Sequence, residues 1–142
     1  MKVSNILATK GTQVVTVRPE QTLKEVVRLL TQHNIGAVAV MDAADKLVGI
    51  ISERDIVREA ARSDDVLSRP VSAVMTSRVI TGSPHDDVKA VVMTMTEKRF
   101  RHLPILDHGK LAGIVTIGDA VKSTLNRYEG EIDTLQAQIG EG

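Results

Sequence analysis

The stretch Gly49-Ile-Ile-Ser52-Glu-Arg-Asp55 returns later in the chain as Gly113-Ile-Val-Thr116-Ile-Gly-Asp119. In both copies an apolar, β-branched run stops at a hydroxyl residue, and an acid follows three positions on. A Ser or Thr with an acid at that spacing is the signature of a helix start, so each copy reads as a strand passing into a helix. Widening the window extends the match. Lys46–Val57 aligns with Lys110–Val121, with six of twelve positions identical. Upstream, Pro19–Asp42 matches Pro84–Asp107, and Val3-Ser-Asn-Ile-Leu7 matches Val71-Ser-Ala-Val-Met75. The chain therefore divides into a first repeat over 1–61, a polar linker over 62–70, a second repeat over 71–125 and a helical tail over 126–142.

Periodicity alternates within each repeat. Leu23, Val26, Val27 and Leu30 have helical spacing behind a Thr22/Glu25 capping box, and Val88, Val91, Val92 and Met95 repeat that face after Asp87. Short strand-like runs follow at Ala37–Met41 and Leu47–Ile51, and at Leu103–Leu106 and Leu111–Val115. Val14–Val17 and Val79–Thr81 read as an extra strand before each helix. Each unit is expected to be β-α-β-β-α, an α/β (α+β) fold, too small to bury a comfortable core without its twin. In the tail, Val121, Leu125, Tyr128, Ile132, Leu135 and Ile139 are spaced 4, 3, 4, 3, 4, a seam for this body or for another chain.

Composition narrows the function. The 142 residues carry 18 Lys and Arg against 18 Asp and Glu, a balance that disfavours a general nucleic-acid binder. There is no cysteine, which excludes disulfides and thiolate chemistry. The longest apolar run, Ile35–Met41, is too short to cross a bilayer and no secretory signal follows Met1, so the expectation is a cytoplasmic protein away from membranes. Four histidines show no metal-ligand spacing, and neither a nucleophile elbow nor a phosphate loop is present. No metal site and no catalysis are expected. With one Phe, one Tyr and no Trp, any bound ring must be held by aliphatic groups and backbone.

The doubled junction has two readings. As a capping box it serves the helix alone. As a site, its carboxylate accepts ribose hydroxyls, its Ser or Thr reaches ribose or phosphate, and the helix start favours an anion. Gly49 and Gly113 allow close backbone approach, or mark bulges. The run Lys98-Arg99-Phe100-Arg101-His102 enters a strand; alternation there puts Arg99 and Arg101 on one face and Phe100 and His102 on the other. Its counterpart in the first repeat is uncharged.

Two β-α-β-β-α units, each ending Gly-h-h-[Ser/Thr]-x-x-Asp-h (h apolar), resemble a pair of CBS domains, which combine into a Bateman module. Arg101-His-Leu-Pro-Ile105 is similar to the family's second-strand sequence. The resemblance implies two repeats packed about a pseudo-twofold axis, with adenosine-containing ligands (AMP, ADP, ATP, NAD(H) or S-adenosylmethionine) in two clefts between them. It implies Asp55, Asp119, Ser52 and Thr116 at ribose, and Arg54, Arg99, Arg101 and His102 at phosphate. Val14, Ala37, Val79 and Ile80 would flank adenine. The expected protein is a homodimeric, non-enzymatic regulator that senses adenine nucleotides, and thereby energy state, for an unidentified regulated partner. The alternatives are an interaction module without nucleotide and a nucleotide-hydrolysing enzyme.

Overall fold

The computed structural model describes residues 1–11 and 13–141, with side chains through Gln138. Helix α1 (Val3–Lys10) comes first, followed by β1 (Thr16–Val17), α2 (Leu23–His33), β2 (Ala37–Met41), β3 (Leu47–Ser52) and α3 (Glu53–Ala60). The second half contains α4 (Val88–Lys98), β4 (His102–Asp107), β5 (Lys110–Thr116) and the long α5 (Ile117–Glu141). Single 3-10 turns at Val66–Ser68 and Val71–Ala73 lie between the halves.

Local chemistry explains the boundaries. Thr22 accepts the Glu25 N–H and starts α2, while the Glu25 carboxylate accepts from Gln21 instead of closing the expected box. Helices α2 and α4 end at matching positions, Asn34 and Arg99, both left-handed. Arg99 therefore terminates a helix, and β4 begins only at His102. This corrects the expected strand alternation through residues 99–102.

In the first sheet β1 runs parallel to β2, which pairs antiparallel with β3. Every residue of β2 is buried, as a strand covered on both faces requires. Among the described residues the second sheet has β4 and β5 alone. The strand expected at Val79–Thr81 does not form; a single bridge from Gly82 to Ile105 takes its place. In the first half the expected strand shortens to Thr16–Val17. Val14 and Val15 in the first repeat, and Val79 and Ile80 in the second, instead line the clefts described below. Matching bulges lie at Val40/Met41 and Ile105/Leu106, opposite Gly49 and Gly113.

The cores do not follow the order of the chain. One buries Val17, Leu23, Val26, Val38, Val40 and Ile51 together with Val71 from the start of the second repeat. The other buries Val88, Val91, Met95, Leu103, Ile105 and Val115 together with Val3 and Ile6 of α1. Each repeat thus lends its opening segment to its twin. The exchange also explains the strand glycines: a Cβ on Gly49 would stand 2.5 Å from the Met75 sulfur, and one on Gly113 would stand 2.8 Å from Leu7 Cδ2. Met75 and Leu7 are equivalent residues of the two lent segments. Backbone hydrogen bonds secure the exchange, from Val3 N–H to Asp86 O and from Val71 N–H to Gln21 O.

Candidate functional site

Two clefts open where the repeats meet. The first, of about 330 Å³, is lined by residues from both sides of the junction at Ser52. Both junctions are complete capping boxes. Ser52 donates to Asp55 Oδ2 through its N–H (2.9 Å) and its Oγ (3.1 Å), and Asp55 N–H returns a bond to Ser52 Oγ at 3.3 Å. Thr116 N–H donates to Asp119 Oδ2 at 2.9 Å, and Asp119 N–H donates to Thr116 Oγ1 at 3.0 Å. The caps engage only Oδ2 of each carboxylate. Among the described residues, Oδ1 of Asp55 and of Asp119 accepts no hydrogen bond, so capping leaves each acid one oxygen for another donor.

All eight sequence-derived candidates with numbers between 52 and 102 line this first cleft: Ser52, Arg54, Asp55, Val79, Ile80, Arg99, Arg101 and His102. Sequence reasoning overlooked Arg58 and Arg78 and did not carry Lys98 forward as a site residue; all three are there too. The six cations Arg54, Arg58, Arg78, Lys98, Arg99 and Arg101 face only two acids, Glu53 and Asp55. Among the described residues none of the six is in an ion pair. Uncompensated cations around a concave, half-apolar surface focus a positive potential into it.

The second cleft, of about 320 Å³, gathers Val14, Ala37, Thr116 and Asp119, the other four candidates, and touches His102 as well. Its electrostatics are different. Lys10, also overlooked, donates to Asp119 Oδ2 and to the Ile114 carbonyl, each at 2.6 Å. Burial pushes the Asp119 pKa up, but the Lys10 and Thr116 hydrogen bonds outweigh it and hold the acid below its ordinary value. The repeat alignment, continued three residues past Leu7 and Met75, pairs Lys10 with Arg78. That extension would have found both.

His102 stands between the clefts. A Cβ on Gly36 would come within 3.1 Å of its Nε2 and 3.4 Å of the Glu53 carboxylate, so the absence of a side chain at Gly36 makes room for the ring. Burial lowers the His102 pKa, against the opposing pull of Glu53.

A family model for the CBS domain matches residues 3–62 and again 71–126. The chain belongs to the CBS-domain family. This CBS pair is similar to the CBS domain-containing protein YhcV of Bacillus subtilis, 38% identical over 129 residues covering 89% of the chain and 91% of that protein. It is also similar to the CBS-domain protein ATU1752 of Agrobacterium tumefaciens, at 40% identity and a TM-score of 0.83, covering 87% of the chain and 92% of that structure. The CBS domain pair of protein MJ0100, solved with 5′-methylthioadenosine and S-adenosyl-L-methionine, has a TM-score of 0.78 at 26% identity. That match covers 89% of the chain and 98% of that structure. Among the described residues no helix is long and apolar enough to cross a membrane, and no group of three metal-ligating side chains converges.

Proposed function

We propose that this CBS pair is a non-enzymatic regulatory module that binds adenine nucleotides (AMP, ADP, ATP or NAD(H)) between its repeats. It signals by a change of conformation or assembly. The observation that carries the reading is the cleft at Asp55, where a carboxylate with a free oxygen stands among six unpaired cations. A ribose donates hydroxyls and a phosphate accepts from guanidinium groups, so one nucleotide satisfies both halves of the cleft. Val79, Ile80 and Ile50 offer the apolar wall for adenine. The complex of MJ0100 with two adenosine-containing molecules supports the same ligand class. His102 borders both clefts, so occupancy of either bears on one ring, and a ligand favouring one arrangement of the repeats shifts the population toward it.

The test is a cycle of Asp55→Asn against ATP and 2′-deoxy-ATP. Ser52 still caps α3 and the Asn oxygen still accepts the Ser52 N–H, so the melting temperature of the free protein should move little. The amide accepts only through its oxygen, so ATP affinity should fall by about 2 kcal/mol, roughly thirtyfold. The deoxy ligand should lose a similar amount on the native protein and little more on the variant, because both changes remove one contact. Unchanged affinity in both arms refutes the ribose role of Asp55.

A further inference from the structure

We infer that the two clefts take different chemical classes of ligand: the Asp55 cleft a nucleotide with two or more phosphates, the Asp119 cleft an uncharged nucleoside. This rests on the reading that the pair binds adenosine-containing ligands, and goes beyond it by dividing them. Lys10 and Arg78 are equivalent residues of the two exchanged segments, yet they meet different fates. Arg78 stays unpaired among five other cations. Lys10 is held by Asp119 and the Ile114 carbonyl, and Lys10 and Asp119 are the two formally charged residues that line the second cleft, His102 aside. Its remaining lining is polar or apolar without charge, including Leu7, Val15 and Ile35.

The charges decide the classes. The first cleft has six cations for two acids, and a polyphosphate relieves their mutual repulsion. The second is neutral as it stands. A phosphate entering it meets a single ammonium whose charge Asp119 already neutralises, with that carboxylate close enough to repel it, which opposes binding. A ribose needs no such rupture. Asp119 Oδ1 is free to accept one hydroxyl. An ammonium has three donors, of which Lys10 uses two, so the third is left for the neighbouring hydroxyl oxygen. The Lys10–Asp119 pair thus presents donor and acceptor side by side to a vicinal diol. Lys10 is the specificity-determining residue of this cleft.

Calorimetry with ATP and adenosine on the full chain tests the division. The expected result is one ATP per chain, followed by one adenosine that still binds the ATP-saturated protein. Asp119→Asn and Lys10→Met should each weaken adenosine roughly tenfold or more and leave ATP within about twofold. The double variant Arg99→Ala/Arg101→Ala should do the reverse. Lys10→Met lies on the surface and reports even if Asp119→Asn unfolds. Displacement of adenosine by ATP, or two ATP per chain with the second removed by Asp119→Asn, overturns the division while the nucleotide reading stands. Binding of neither ligand overturns both.

Discussion

Ile6 belongs to the first repeat by position and to the second by packing, and its removal separates the two descriptions. The side chain is 3% exposed against Val88, Met95, Leu103 and Val115. Ile6→Ala deletes buried carbon and leaves a cavity that α1, pinned by backbone bonds to Pro84 and Asp86, cannot fill by shifting. The expected loss is about 2–5 kcal/mol, a large share of a typical domain's stability. Native-state hydrogen exchange locates it. Amides of Leu103–Ile105, Val115 and α4 should exchange faster, while Val38–Val40 in the first sheet keep their protection. Val71→Ala is the reciprocal case. Fully buried in the first core, it should cost about 1.5–3 kcal/mol and expose Val38–Val40 instead. If Ile6→Ala loosens the first sheet, or both variants loosen the two sheets alike, the exchanged architecture is refuted.

Three further outcomes are expected. The lowered pKa of His102 means that the free protein keeps its full stability above pH 6.5 and loses part of it as pH falls through that ordinary value; ATP affinity should rise over the same descent, because phosphate favours the charged ring, and a pH-independent affinity in calorimetry contradicts phosphate contact there. Lys10→Met should lower stability by about 0.5–1 kcal/mol at neutral pH for this partly exposed pair; the lowered Asp119 pKa makes that difference fade as acid titrates the carboxylate below 3.8, and urea unfolding across pH measures it. Light scattering at micromolar concentration should give a dimeric mass, which Leu125→Asp with Ile132→Asp reduces, since Val121, Leu125, Tyr128, Ile132 and Leu135 are each about half exposed along α5; a monomer throughout removes the claim.

Much of this was legible because the chain states it twice. The duplicated Gly-to-Asp junction located both strand-to-helix turns, both capping boxes and four of the residues that line the clefts, Ser52, Asp55, Thr116 and Asp119. Composition and periodicity could not show which segment fills which core, because Val3 and Val71 satisfy either one equally well by hydrophobicity. The edge strand at Val79–Thr81 failed for a related reason. Its β-branched residues suit a strand, but Arg78, Val79 and Ile80 are drawn to the cleft wall, a tertiary demand that outranks local propensity. Lys10 was missed because a single lysine at a helix end looks like an ordinary cap for the dipole; only its reach to Asp119, 109 positions on, distinguishes it.

The exchange of opening segments also governs how the chain is made. Val3 and Val115 share a core, so α1 lacks its partners after synthesis until some hundred more residues have been added. At typical synthesis rates of roughly 5–20 residues per second, that is a wait of about 5–20 seconds. The first sheet closes sooner, since Val71 follows soon after it, but it must do so with an amphipathic segment still loose at its N-terminal end. Folding during synthesis is therefore expected to run from the inside of the sequence outward. The expected last step is a long loop closure that brings α1 onto the second core.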